Sequence, residues 1–314
     1  IDGEVYLRPD GLTGGGLVKM EDSELTSDLY SFHLNTFDSD TADFRLNRSD
    51  LDAIAFESVN LQTEIDLIQR TGTFQSNGLG SFVTFPENQY ICYIDQLKWF
   101  MDENQVELGT SEFGSGSKFV SVHPDQDSLR FVSASASYSL KDYIIEAGGV
   151  DEIVVADAEI YPNEGRVTVE TGALIRTLEN ATLLVNRKER FHQLFDATIN
   201  IQGRYSYTGE GTITYQGRNV DEQNIRFTNL MVRDEQTIGE GIIPEEMKFA
   251  FNPQFGFKGN VRLEGNYKDF FYEGAYQVRH ECSIIPSSWV QFSAYVGAEK
   301  MQLPVDGVKD LNGN

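Results

Sequence analysis

Positive charge is what this 314-residue chain has least of: 25 Lys and Arg stand against 49 Asp and Glu, a formal net charge of −24 with a pI near 4.4. A phosphate backbone needs clustered cations to neutralise it, so nucleic acid is excluded as a partner, and anionic lipid surfaces are repelled for the same reason. The compact basic cluster Arg187-Lys188-Glu189-Arg190 reads as a solvated turn. Cysteine is nearly absent. Cys92 and Cys282 lie 190 positions apart with none of the C-x-x-C spacing of a metal site, and each reads as a buried small hydrophobe, a single long-range disulfide being the alternative. The four histidines, His33, His123, His192 and His280, show no i, i+4 pairing, and no G-x-S-x-G elbow is present, so zinc and triad chemistry have no sequence support. No run approaches the ~18 consecutive apolar residues of a membrane helix. Disorder is excluded by the 12% aromatic content.

What the chain does have is alternation. Arg166-Val167-Thr168-Val169-Glu170, Ala197–Gln202, Gly211–Tyr215, Asn260–Glu264, Tyr276–His280 and Trp289–Val296 place polar and apolar residues in turn. This is the period of strands with one face buried. Before residue 107 shorter strand-like runs recur between acidic turns of 7 to 12 residues, among them Gly16–Met20, Tyr30–Leu34, Ala42–Leu46 and Val59–Ile65. Only Tyr90–Met101 and Pro244–Met247 suit a helix. The expected fold is all-β, a repeating β-sheet or β-solenoid-like architecture with antiparallel hairpins in the C-terminal third; two β-sandwich domains are the alternative.

The linker-like stretch Gly109–Ser117 suggests an acidic segment, 1–110, and a second β-rich segment, 111–314. Residues 1–110 carry 20 acids and 6 bases, a net of −14, and residues 111–314 carry 29 and 19, a net of −10. One continuous β-structure with a long loop fits equally. Two echoes recur. Asp157-Ala158, Asn180-Ala181 and Asp196-Ala197 each precede alternating apolar residues, and Tyr207-Thr208-Gly209, Phe257-Lys258-Gly259 and Tyr272-Glu273-Gly274 set an aromatic two residues before glycine. The last two, either side of a turn near Asn266–Asp269, read as a hairpin in which the aromatic covers the gap that glycine leaves.

Chemistry-bearing motifs are few. Gly11-Leu12-Thr13-Gly14-Gly15-Gly16 lacks the lysine and helix of a phosphate loop and reads as a turn or bulge. Asp38, Asp40 and Asp43, followed by Asn47, Asp50 and Asp52, offer oxygen ligands for calcium, although the spacing departs from an EF-hand, with no glycine sixth and Ser49 twelfth. His123-Pro124-Asp125-Gln126-Asp127 is a shorter loop of the same kind. Paired carboxylates beside a sugar cleft would cleave glycosidic bonds. Trp99 and Trp289 are expected in the core, and Tyr205 and Tyr207 are the aromatics considered for a sugar groove. The sequons at Asn47 and Asn180 are as many as chance supplies.

The phrases Ile1-Asp2-Gly3-Glu4-Val5-Tyr6-Leu7-Arg8-Pro9-Asp10-Gly11-Leu12-Thr13-Gly14-Gly15-Gly16, Asp40-Thr41-Ala42-Asp43-Phe44-Arg45-Leu46 and Phe119-Val120-Ser121-Val122-His123-Pro124 resemble segments of large, uncharacterised β-rich envelope proteins of Bacteroidota. More distantly, the glycine-then-alternating pattern resembles AsmA-like lipid-transfer proteins, whose repeated strands form an apolar groove. The resemblance implies a piece of a longer exported protein, periplasmic or at the cell surface. That suits a chain whose first residues, without methionine, read as the middle of a strand. The expectation is a non-catalytic structural or interaction module. Its partners would be other domains of the same chain or envelope proteins, with a glycan-binding or glycan-cleaving domain and a lipid-carrying groove as alternatives, and calcium as the only cofactor considered.

Overall fold

A computed structural model describes residues 2–20, 22–48, 53–78, 81–109, 116–280 and 287–297. The fold is all-β: helical turns among the described residues are three-residue 3-10 segments, Pro124–Gln126, Asn163–Gly165, Thr171–Ala173 and Glu245–Met247. Among the described residues no helix is long and apolar enough to cross a membrane. The stretch Tyr90–Met101 is not a helix but two strands, Tyr90–Tyr93 and Gln96–Phe100. Its apolar residues fall on alternate positions on either side of Asp95, with Tyr90, Cys92, Leu97 and Trp99 turned inward. Pro244–Met247 supplies only the short turn Glu245–Met247. Most of the linker-like stretch, 110–115, lies outside the described residues. The chain divides into two compact units, Ile1–Ile153 with Glu164–Arg176 and Val154–Asn163 with Thr177–Asn314.

The first unit begins as a meander of strands, Asp2–Arg8, Gly11–Met20, Ser23–Phe32, Thr36–Asn47 and Ile54–Asp66, each antiparallel to the next. The last of these forks the sheet. Its end, Leu61–Asp66, pairs with Thr71–Ser76, while Glu57–Val59 pairs with Phe82–Phe85. One branch continues through Gln96–Phe100, Gln105–Gly109, Ser135–Ser139, Ile144–Gly148 and Val167–Val169. The other runs through Tyr90–Tyr93, Ser117–Ser121 and Arg130–Ser133 to Ile153. The chain lays strands in one branch, then in the other, and the apolar faces meet. Tyr138 of the first branch packs 4.9 Å from Phe85 of the second and donates its hydroxyl to the Ala55 carbonyl at 3.0 Å.

Each inner face is a row of residues in register. Ile65, Gly72, Trp99, Val106, Tyr138, Ile145 and Val169 line the first branch. Ser58, Val83, Cys92, Phe119, Phe131 and Ile153 line the second. Cys92 is thus a buried core residue, as its isolation in the sequence implied; Cys282 lies outside the described residues. Each large side chain buried in such a row contributes roughly 1.5–3 kcal/mol.

The second unit is also a meander. Ala158–Tyr161, Leu178–Val185, His192–Gly203, Ser206–Tyr215, Gln223–Arg233, Gln236–Ile243, Phe255–Glu264, Phe270–Val278 and Trp289–Val296 follow one another antiparallel. It folds over its own apolar face. Phe270 meets His192 and Phe227, at 4.8 and 5.7 Å, although its strand lies five places from that of His192. At two of its three sites the acid-or-amide-then-alanine echo marks bulges: Asn180 and Asp196 take positive φ, and the alanines that follow them, Ala181 and Ala197, face each other, fully buried. The aromatic-before-glycine echo is the expected hairpin. Gly259 faces Gly274 in register, and Phe257 packs 5.1 Å from Tyr272. Antiparallel hairpins therefore build both units, not the C-terminal third alone.

Candidate functional site

The aspartates Asp38, Asp40 and Asp43 lie along the strand Thr36–Asn47, at a bulge in its pairing with Ile54–Asp66. Each is engaged separately. Asp38 hydrogen-bonds to His33 Nε2 at 3.0 Å, the Asp40 carbonyl accepts from Asn77 Nδ2 at 2.8 Å, and the Asp43 carboxylate accepts the Asn60 N–H at 3.0 Å. Asp50 and Asp52 lie outside the described residues. Among the described residues no group of three or more His, Cys, Asp and Glu is placed to hold a metal. The second loop, at His123, forms a turn in which His123 Nδ1 accepts from the Asp125 N–H, while Gln126 turns inward to Tyr90 and the Ala173 carbonyl.

Other candidate residues divide by burial. Trp99 is in the core, 5.2 Å from Phe44, as expected. Trp289 is not: it is half-buried on the outer side of its strand, under the Lys258 ammonium at 4.5 Å, because Phe292 takes the inward parity of Trp289–Val296. Tyr207 is buried and bonded to Thr237, whereas Tyr205 is exposed. The basic cluster is a turn, and two of its arginines neutralise one carboxylate: Arg187 and Arg190 both reach the buried Glu159, at 3.4 and 3.1 Å. Asp157 accepts from the Thr237 N–H and hydroxyl, while burial holds its carboxyl above the ordinary range. This is a structural brace of the second unit.

Two surfaces remain. The first is a polar trough of about 1070 Å³ on the outer face of the first branch, where the row Thr73, Lys98, Glu107, Ser137, Glu146 and Thr168 crosses six strands above a floor that includes Gly109 and Gly148. The second is an edge. The inner row of the first branch does not stop at Ile65 but continues through Phe37, Phe32 and Leu12 to Leu7. Along it, exposure climbs from 0% at Ile65 and 4% at Phe37 to 36% at Leu12 and 85% at Leu7. The core face thus emerges uncovered at Asp2–Arg8, a strand exposed along its whole length and paired, among the described residues, on one side only.

That strand includes no proline or lysine and its register with Gly11–Met20 is unbroken, and the charged side chains Asp2, Glu4 and Arg8 are what guards it. Glycines let the two strands lie close. A Cβ on Gly3 would sit 2.0 Å from the Gly15 carbonyl oxygen. The alternation of Val5 and Leu7 with charged residues was the only sequence signal for this surface. No protein-family model matches the chain, and neither a curated protein nor a solved structure matches it.

Proposed function

We propose that the chain is a non-catalytic structural or interaction module of a large exported cell-envelope protein, a β-scaffold that docks further β-structure on its open edge. The observation that carries this reading is the inner apolar row that leaves a filled core and reaches Leu7 uncovered. Contiguous apolar surface left uncovered costs free energy in water and favours added structure over it. The resemblance of the Ile1–Gly16 phrase to envelope proteins of Bacteroidota supports an extracytoplasmic setting. A second reading, glycan binding, is favoured by the polar trough around Glu107, Ser137 and Glu146, whose amide, hydroxyl and carboxylate groups suit sugar hydroxyls. The lipid-groove reading loses support because the inward faces of both units are filled by their own side chains, among them Phe56, Phe119, Phe227 and Tyr272. Calcium forms no part of the reading. The test is a glycan array with lipid extraction on the same sample: binding of neither class is expected, and saturable sugar binding abolished by Glu146→Ala would replace this reading with the second.

A further inference from the structure

We infer that the second unit takes up an extended basic peptide as an added strand, in a split of its sheet between His192–Gly203 and Ser206–Tyr215. The split belongs to the second unit and owes nothing to Asp2–Arg8. Pairing between its two strands ends at Phe195 opposite Thr212. Beyond that point each flank stays paired on its far side only, His192 with Val185 and Leu194 with Leu183, Ile213 with Ile225 and Tyr215 with Gln223. The strands part next to the bulge where Asp196 takes positive φ, because a bulge bends its strand and increases the local twist. Between the flanks lies a cavity of about 650 Å³, lined by Phe191, His192 and Phe195 on one side and by Ile213, Tyr215 and Gln216 on the other. Phe270 and Val296, opposite each other on strands folded over this end, line the rest. Along the split, two facing rows of backbone N–H and C=O groups have no strand opposite them among the described residues. One inserted strand satisfies both rows at once, and each flank offers it about four residues, roughly 13 Å at ~3.3 Å per residue.

The side chains of the cavity select the peptide. His192 and Tyr215 line it and are only 4% and 5% exposed. His192 donates its Nε2–H to the Tyr267 carbonyl at 2.7 Å, so Nδ1 of the neutral ring is a bare acceptor, and burial, which lowers the pKa of His192, keeps the ring neutral. The Tyr215 hydroxyl has no partner among the described residues. It stays protonated, pushed up to about 12 by burial and then by the Asp269 carboxylate. Asp269 itself is exposed at the cavity, beside Lys268, which is already engaged. Acceptors therefore prevail over apolar walls: a ring nitrogen, a carboxylate and one hydroxyl. An inward residue with an apolar stem and N–H donors at its tip, lysine or arginine, answers all three. The net charge of −24 draws such a cation in.

The test is calorimetric titration of the full chain with the capped peptide acetyl-Thr-Lys-Val-Lys-Thr-amide, joined to hydrogen exchange of the amides at 191–195 and 213–216. Saturable binding is expected, with exchange slowed on both flanks. The same peptide with N-methylated amides keeps its side chains but cannot pair, and loses at least about ten-fold in affinity. Replacing both of its lysines by glutamate abolishes binding. Asp269→Asn, an exposed substitution, weakens the lysine peptide by about ten-fold. No saturation by about 1 mM peptide, protection of one flank or neither, or an N-methylated peptide as tight as its parent would each refute the inserted strand. Lysine amide binding as tightly as the whole peptide would make the split a small-molecule pocket and overturn the proposal as well.

Discussion

Gly274→Ala tests the sequence echo of aromatic and glycine where it becomes geometry. Gly274 lies in register with Gly259, and a Cβ at Gly274 would stand 2.3 Å from the Lys258 carbonyl oxygen and 2.7 Å from the Gly259 Cα. Both obstacles are backbone, so no side chain can swing aside, and the two strands must separate by about 1 Å to reach ordinary contact. Overpacking of this kind costs roughly 1–3 kcal/mol, and loosening the neighbouring pairs Lys258 with Ala275 and Asn260 with Glu273 adds about 1 kcal/mol of hydrogen bonding. The expected loss is about 2–4 kcal/mol. The two tryptophans make the assay specific, since Trp99 lies in the first unit and Trp289 in the second, on the strand that pairs with the one carrying Gly274. In a Trp99→Phe background, urea unfolding followed by Trp289 fluorescence reports the second unit. Asn260→Ala, exposed beside Gly259, is the control and is expected to change stability by no more than about 0.5 kcal/mol. A Gly274→Ala loss no larger than that of Asn260→Ala would refute the close-approach account.

Asn88, fully buried, donates from one amide to the carbonyls of Tyr143 and Val169, at 2.8 and 3.1 Å, and so ties the Pro86–Gln89 turn to the strand Val167–Val169 and to the turn that precedes Ile144–Gly148. Asn88→Ala leaves both carbonyls without that donor and should cost about 2–3 kcal/mol in the first unit, read by Trp99 fluorescence in a Trp289→Phe background. His192 is stacked on Phe270 with its Nε2 2.7 Å from the Tyr267 carbonyl oxygen, and burial lowers its pKa below the ordinary value. Because the folded pKa lies below the unfolded one, the stability it contributes is present above about pH 6.5 and is lost as pH falls through the lowered value. Urea midpoints of the second unit should therefore fall between pH 7 and 5, and His192→Gln should flatten that slope. Burial raises the Cys92 thiol well above its ordinary pKa. Its alkylation at pH 8 should follow unfolding of the first unit, and rapid labelling of the native protein would contradict its place between Val83 and Phe119.

The strands were legible because the alternation was real, and where the expectations failed, two local signals competed. Tyr90–Met101 spaces its apolar residues at intervals that suit either period, and only the break at Ile94-Asp95 marks two strands. Residue type favours the core for Trp289, but the parity of its own strand sets it outside: Phe292 is inward, so Gln291 and Trp289 share the outer parity. Parity within an element is the stronger evidence, because it follows from backbone geometry, whereas residue type is an average over many environments. The fork at Ile54–Asp66 left no local trace. It depends on which distant strand takes each half of one long strand, a choice made by tertiary packing.

The candidate edge shows the same division between what is local and what is not. Val5 and Leu7 alternate with Asp2, Glu4, Tyr6 and Arg8, so their common face is readable from seven residues. That this face is uncovered is a property of the row Leu7, Leu12, Phe32, Phe37 and Ile65, which joins residues up to 58 positions apart. The acidic surplus, first a reason to exclude nucleic acid, takes on a second meaning here. Two bodies of charge −24 repel at long range, so an edge without proline, lysine or bulge is restrained from indiscriminate stacking by the charge of the whole chain. The same charge that excludes nucleic acid therefore helps to guard the strand on which the core face emerges.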